Sequence, residues 1–420
     1  MKKHKICVIG LGYVGLPLAN SLSVYHDVIG YDSNKIRIDE LKNFYDRTGE
    51  ISYQDLKNTK LKLISDPDKI KEINIYIITV PTPINDQKQP ELTALFEASK
   101  LVGEKIKTGS IVVYESTVYP GVTEEECGPI IEMVSGLVCG KDFWLGYSPE
   151  RINPGDSVHN LSQITKVVSG QNEDITGILS DIYGVINNGK IFKATSIKVA
   201  EAAKVIENTQ RDINIAFVNE ISMIFNNLGL STLDILETAN TKWNFLDFKP
   251  GLVGGHCIGV DPFYLAYKAQ KIGVNPEIIL AGRRINDNMG KFIAERVMQE
   301  LEVGDKVLIL GFTFKENVPD IRNTKVIDIY NALNNFGVEV NISDPKADKN
   351  EVKEVYKINL VPLTKEKKYK AIIIAVQHEE YRELSVEDLG TCLISKGLIF
   401  DLKGILRRMN NPKKIRILTF

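Results

Sequence analysis

The sequence predicts an α/β protein in which two doubly wound parallel sheets are joined by a central helical domain with one long helix. Three observations carry that expectation. Short apolar runs alternate with helix-length amphipathic segments in the first part of the chain, the alternation returns in the last part, and between them apolar residues recur at helical spacing. The boundaries are 1–195 and 301–420 for two Rossmann-like domains and 196–300 for the helical one.

In the first domain the strands are Ile6 to Ile9, Val28 to Tyr31, Ile73 to Val80, Ile111 to Tyr114 and Phe143 to Tyr147. They are near-continuous apolar runs, as expected of parallel strands covered on both faces, and a cofactor belongs at their carboxyl ends. In the middle, Ala200, Ala203, Ile206, Ile213, Phe217, Ile221, Ile224 and Leu228 mark a helix from Ser196 to about Gly229. At about 1.5 Å per residue it makes a rod of roughly 50 Å, a length that bridges domains or subunits. Asp234 to Asn240 and Pro276 to Leu301 complete the helical region, and Val307 to Leu310, Val338 to Ile342, Ala371 to Ala375 and Leu398 to Asp401 are the strands of the last domain.

Composition narrows the function classes. The 52 basic and 54 acidic residues give a net charge of −2 without a long block of one sign, so nucleic acid is not an expected partner and any anionic ligand must be met by local charges or helix ends. The cysteines Cys7, Cys127, Cys139, Cys257 and Cys392 are odd in number and form no C-x-x-C pair, which fits a reducing cytoplasm. The five histidines show no metal-ligand spacing, so no metal is expected. The basic start Lys2-Lys3-His4-Lys5 and the apolar run after it mimic a secretory signal, but the glycine phase within that run argues against one, and no stretch reaches the ~18 apolar residues of a membrane span.

The chemistry-bearing motifs begin with Gly10-Leu11-Gly12-Tyr13-Val14-Gly15, which follows the first strand and opens a helix. Gly10, Gly12, Tyr13, Val14 and Gly15 would face a dinucleotide, and Asp32, closing the second strand, would bind its ribose hydroxyls. Asp32 favours NAD over NADP, whereas Lys35 and Arg37 offer a 2′-phosphate its counter-charge. Thr82 and Thr117 end further strands, either at the cofactor edge or as strand-end turns. Lys204 and Asn208 share one face of the long helix; Lys204 is either a catalytic ammonium or a solvated partner of Glu201 and Glu207. Lys315 and Arg322 follow the first strand of the last domain, positioned for phosphates or for solvent.

Cys257 stands in Gly254-Gly255-His256-Cys257-Ile258-Gly259-Val260-Asp261. A lone cysteine is ordinarily a small buried hydrophobe. Here the glycines favour a tight turn that would let a substrate approach the thiol, and a thiol beside a hydride acceptor allows an aldehyde to be carried on to an acid. His256 would lower the thiol pKa if it faced the sulfur.

With these blocks in order, and with Glu115-Ser116-Thr117 and Ser148-Pro149-Glu150-Arg151 between them, the chain resembles the nucleotide-sugar 6-dehydrogenases of the UDP-glucose/GDP-mannose dehydrogenase family along essentially its whole length. The resemblance implies an NAD-dependent, four-electron oxidation of a sugar C6 hydroxyl through a thiohemiacetal and thioester on Cys257. It implies Lys204, Asn208 and Asp261 around the C6 oxygen, and Glu150 with Thr117 at the hydrolytic water. It further implies Arg322 at the cofactor and Glu150, Arg151, Lys204, Asn208, Arg211, Lys249, Gly251, Gly254 and Lys315 at a UDP-sugar, in a homodimer or higher homo-oligomer.

The segment Glu150-Arg151-Ile152-Asn153-Pro154-Gly155-Asp156 is similar to the branch that oxidises UDP-N-acetylhexosamines. The UDP-glucose branch carries a glutamate where this chain has Pro154. UDP-N-acetylglucosamine, for surface polysaccharide (capsule, O-antigen), is therefore the expected substrate, with UDP-N-acetylgalactosamine and UDP-glucose as alternatives. Two readings from other classes stand beside it: a two-electron 3-hydroxyacid dehydrogenase, which would need neither Cys257 nor a third domain, and a non-enzymatic NAD-binding redox sensor.

Overall fold

A computed structural model describes residues 3–151 and 162–420. The chain forms two compact units, Met1–Glu207 with Phe263–Asn275, and Asn208–Pro262 with Pro276–Phe420.

The first unit holds an eight-stranded sheet: β1 (Lys5–Ile9), β2 (Asp27–Tyr31), β3 (Lys62–Ile64), β4 (Ile75–Ile78), β5 (Ser110–Tyr114), β6 (Phe143–Tyr147), β7 (Lys166–Gly170) and β8 (Ile191–Lys193). The order is β3-β2-β1-β4-β5-β6-β7-β8. The six strands from β3 to β6 are parallel, the order of a dinucleotide-binding sheet, and the connection reverses between β1 and β4. Ile6, Val8, Ile75, Ile77, Ile111 and Val113 pack against Leu16, Leu18, Ala19 and Leu22 of the helix Gly15–Ser23. Each fully buried aliphatic side chain stabilises the fold by about 1.5–3 kcal/mol.

At its far edge the sheet is not purely parallel. β7 runs antiparallel to β6 and carries β8. The sequence pattern missed β7, and also β3 and β8, which are three residues each, too short for an alternation to register.

The second unit holds a parallel five-stranded sheet: β9 (Lys306–Leu310), β10 (Glu339–Ser343), β11 (Tyr369–Ile374), β12 (Leu393–Asp401) and β13 (Arg416–Leu418), in the order β10-β9-β11-β12-β13. Its two faces carry separate cores, one built on Val307, Ile309, Ala371 and Ile373, the other on Leu308, Leu310, Ile372 and Ile374. β13 and the first residues of β12 lie outside the strands the sequence suggested.

The helices Ile197–Asn227, Thr232–Ala239, Asp261–Lys271 and Glu277–Met298 occupy the central stretch. The long helix is 31 residues, and the boundary between the two units falls within it, after Glu207. Among the described residues no helix is long and apolar enough to cross a membrane.

Candidate active site

The glycine loop of the first unit is dictated atom by atom. Gly10 has φ +94° and donates its N–H to Tyr31 O at 2.9 Å, folding the chain back over the end of β2. A Cβ on Gly15 would stand 1.8 Å from Gly10 O and 2.3 Å from Thr79 Oγ1, so no other residue fits there. Gly12 is exposed and would meet nothing within 4 Å. The result is bare backbone before a helix N-terminus, at the switch point between β1 and β4, which suits a diphosphate. Asp32 holds the loop from the side, accepting Leu11 N at 2.9 Å and Asn34 N at 2.8 Å.

Arg37 stands behind this loop. Its Nε donates to Leu11 O at 2.9 Å and its Nη2 to Asp46 at 2.7 Å, and both side chains are buried. It braces the loop backbone, while Lys35 is exposed beside Asp39 at 3.4 Å. Thr82 Oγ1 donates to Thr117 O at 2.8 Å, which ties the loops after β4 and β5, and Tyr264 OH bridges Thr82 O and Pro83 O at 3.0 Å each.

Beyond β6, Glu150 is buried above a cluster that the sequence did not reveal. Lys166 Nζ lies 3.1 Å from Glu150 Oε2 and 2.7 Å from Glu115 Oε2, and Tyr183 OH donates to Glu115 Oε1 at 2.5 Å. Burial pushes the Glu115 carboxyl up; burial pulls the Lys166 ammonium down, but the two glutamates outweigh it and its pKa is raised. Lys166 therefore stays charged and fixes the Glu150 carboxylate. The one sequence signal was a lysine at the head of an apolar strand. Arg151 pairs with Glu207 at 2.8 Å. Ile152 to Asp156, including Pro154, lie outside the described residues.

Lys204 is buried on the long helix at 8 % exposure, which removes its solvated reading. Glu201 accepts Gly121 N at 2.6 Å and Thr123 N at 2.9 Å, and burial pushes its pKa up to about 7.

In the second unit Asn208 Nδ2 donates to Asp261 Oδ2 at 2.6 Å, so two predicted residues meet directly. Asp261 is buried and is the first residue of its helix; its N–H and that of Val260 both donate to Cys257 O, at 2.8 and 3.0 Å. The cysteine thus sits on the turn that starts this helix. Its Sγ lies 3.0 Å from His256 Nδ1. All five cysteines are free thiols, and Cys257 is half-buried.

The turn is threaded between two segments of the second unit. Gly255 has φ +79°, and a Cβ there would strike the Phe314 ring at 2.7 Å; one on Gly254 would lie 2.6 Å from Asn323 O. Upstream, Asn219 clamps Gly251, taking its N–H at 2.8 Å and donating to its carbonyl at 3.0 Å. Asn219 is held in turn by Asn286, and Asn286 with Arg283 by Asp212, a buried polar chain that sequence spacing gave no means of finding.

The remaining predicted residues are more dispersed. Lys249 is exposed beside Asp247, and Arg211 is exposed on the long helix. Lys315 is half-buried on the loop after β9, its carbonyl accepting Thr313 Oγ1 at 2.9 Å. Arg322 pairs with Asp320 through Nε at 3.0 Å and Nη2 at 2.5 Å.

A sheet of this order, with a glycine loop opening a helix and a carboxylate after the second strand, defines a dinucleotide-binding domain. The chain belongs to the UDP-glucose/GDP-mannose dehydrogenase family. Its NAD binding domain matches residues 4–187, its central domain 198–288 and its UDP binding domain 308–408. NAD is the cofactor. Over 409 residues, 96 % of each chain, the sequence is 53 % identical to a UDP-N-acetyl-D-glucosamine 6-dehydrogenase of Salmonella typhi. It is 48 % identical to an enzyme of the same name from Pseudomonas aeruginosa, covering 97 % of this chain and 98 % of that one. Among solved structures it resembles a UDP-D-ManNAc dehydrogenase of Pyrococcus horikoshii, with TM-score 0.89, 29 % identity and coverage of 99 % and 98 %.

Proposed function

We propose that this chain oxidises the C6 hydroxyl of UDP-N-acetylglucosamine to the acid, a four-electron reaction on Cys257. The observation that carries the reading is the turn at residues 254–261, where a half-buried thiol rests against an imidazole on the same compact unit as the UDP binding domain and the Asn208–Asp261 pair. The names of the two full-length relatives supply the sugar.

NAD, when bound, supplies the hydride acceptor for each of the two oxidations. Cys257 adds to the C6 aldehyde, holding the carbon as a thiohemiacetal so that it is tetrahedral for the second oxidation, which leaves a thioester. Lys204 and Asn208 donate hydrogen bonds to the C6 oxygen as it gains charge, a contribution of roughly 3–4 kcal/mol per donor. Asp261 orients Asn208. Glu150, fixed by Lys166, and Thr117 position the water that opens the thioester. Arg151, Arg211, Lys249, Gly251, Gly254 and Lys315 serve the UDP-sugar, and Arg322 the cofactor. In this reading residues 196–300 form a dimerisation domain between the Rossmann-like domains 1–195 and 301–420. Support for a homodimer comes from the exposed stripe Val199, Ile206, Phe217 and Ile224 along one face of the long helix.

The test is a panel of UDP-sugars with NAD. UDP-N-acetylglucosamine is expected to yield two NADH per acid, with kcat/KM at least ~100-fold above UDP-glucose and UDP-N-acetylgalactosamine between them; Cys257→Ser abolishes acid formation. One NADH with a stable aldehyde overturns the mechanism, and equal efficiency with UDP-glucose overturns the sugar.

A further inference from the structure

The reaction proposed for Cys257 needs a thiolate, yet an ordinary thiol, with a pKa of about 8.5, is mostly protonated at neutral pH. What surrounds the sulfur answers this. His256 Nδ1 lies 3.0 Å from Cys257 Sγ, and on the other side of the ring His256 Nε2 lies 3.7 Å from Asp320 Oδ2, an ion-pair distance. Asp320 is 5 % exposed and its position is fixed from several directions. Its carbonyl accepts Phe314 N at 3.0 Å, and its carboxylate accepts Arg322 N at 2.9 Å and the Arg322 guanidinium. The imidazole packs edge-on against Phe314, with ring centroids 6.1 Å apart, and the backbone of Gly255 can lie against that ring only because it lacks a Cβ.

We propose that His256 is the proton acceptor and donor of Cys257, with Asp320 as the residue that positions its ring. The inference rests on the reading of Cys257 as the nucleophile and assigns a chemical step to two residues that take part in none there. The protons and electrons balance. The S–H proton passes to His256 Nδ1 while Nε2–H faces Asp320, leaving a thiolate and an imidazolium. The sulfur lone pair forms the S–C6 bond as the carbonyl π pair moves to oxygen. After the second oxidation water adds to the thioester, the S–C6 bond breaks with its electron pair returning to sulfur, and the imidazolium proton is available to that thiolate.

The charged groups facing the pair come from two elements. Asp320 on the segment after β9 favours the imidazolium, and Arg322 on the same carboxylate weakens that pull. Asp261, the first residue of the helix that follows the Cys257 turn, donates its N–H to Cys257 O and is itself held by Asn208 of the long helix. Removing the imidazole should therefore matter more than removing the carboxylate.

The experiment is alkylation of the full-length protein by iodoacetamide between pH 5 and 9, without substrate, with modification of Cys257 read by peptide mass. The wild-type midpoint is expected about one pH unit or more below that of His256→Gln, with Cys257 alkylated about tenfold faster at pH 7, and Asp320→Asn shifted the same way by less. Superimposable profiles for wild type and His256→Gln overturn the proposal. So does a wild-type midpoint at or above that of a free thiol, about 8.5, a measurement that needs no variant to fold. A lowered wild-type midpoint in a protein that turns over no UDP-sugar overturns the functional reading and supports the pair; superimposable profiles in an active enzyme overturn the pair alone.

Discussion

The two sheets use one backbone solution at their switch points and finish it in opposite ways. After β1, Gly10 at φ +94° donates to Tyr31 O at 2.9 Å, Leu11 N donates to Asp32 Oδ2 at 2.9 Å, and Asn34 N closes on the other carboxylate oxygen at 2.8 Å. After β9, Gly311 at φ +93° donates to Ser343 O at 2.8 Å, Phe312 N donates to Asp344 Oδ2 at 2.5 Å, and Lys346 N closes on Oδ1 at 2.7 Å. From there they diverge. The first loop continues with Gly12 and Gly15 and keeps Asp32 half-exposed. The second continues with Thr313 and Glu316, and His378 fills the space, its Nε2 3.0 Å from Asp344 Oδ2 and 3.1 Å from Thr313 Oγ1 while Nδ1 accepts Asn317 N at 3.0 Å.

The difference separates a carboxylate kept available for a ligand from one consumed by the fold. The hydrogen bonds of Asp32 to protein leave it part of its surface, where a ribose hydroxyl can compete with water. Asp344 is fully buried with an imidazole against it, so its energy goes into fixing the loop that carries Lys315. The largest effect follows from this. His378→Ala should destabilise the protein by about 3 kcal/mol in urea unfolding, since Asp344 keeps four backbone donors but loses a buried hydrogen-bond donor, and Asn317 N loses its acceptor. A loss under about 1 kcal/mol would show that the imidazole only fills space.

How much of this was legible in the sequence follows the same division. Gly10, Gly15 and Asp32 belong to a local pattern with fixed spacing, and Cys257 with its glycines is equally local, so a linear reading finds them. The Asp344–His378 pair is 34 residues apart, Lys166 reaches Glu115 across 51, and Asn219 reaches Gly251 across 32. No periodicity links such partners, because they meet only after the sheets have formed. His256 is an intermediate case: its neighbour in sequence is the thiol, but only the φ of Gly255 and the packing of Phe314 turn the ring onto it.

The comparison sharpens next at Asp32. Asp32→Asn keeps an acceptor for Leu11 N, leaves the N–H of exposed Asn34 to solvent, and removes the charge that repels a 2′-phosphate and strengthens a bond to a ribose hydroxyl. The preference for NAD over NADP in kcat/KM should fall ~10- to 100-fold, the ~1.5–3 kcal/mol of a hydrogen bond to a charged group, with the urea midpoint nearly unchanged. An unaltered preference would place the discrimination elsewhere, and a large loss of stability would make Asp32 a structural carboxylate like Asp344.

The smallest effect lies in the acid range and belongs to the second sheet. Burial alone would raise the Asp344 carboxyl, but the hydrogen bond from His378 and the backbone N–H groups of Phe312 and Thr313 outweigh it and hold the pKa down at about 2, against an ordinary 3.8. A carboxylate with a depressed folded pKa binds fewer protons folded than unfolded, so its stabilisation is complete above the unfolded value and is lost as pH falls from about 4 through about 2. The difference amounts to about 2 kcal/mol. Other paired carboxylates, Asp46 beside Arg37 among them, titrate in the same window, so the measurement is a difference. Urea unfolding free energies of wild type and Asp344→Asn should converge between pH 5 and pH 2 by that amount, the variant lying lower at pH 5 and losing less on acidification. Parallel curves would mean that Asp344 is no better held folded than unfolded, and the contrast drawn with Asp32 would fail at its second member.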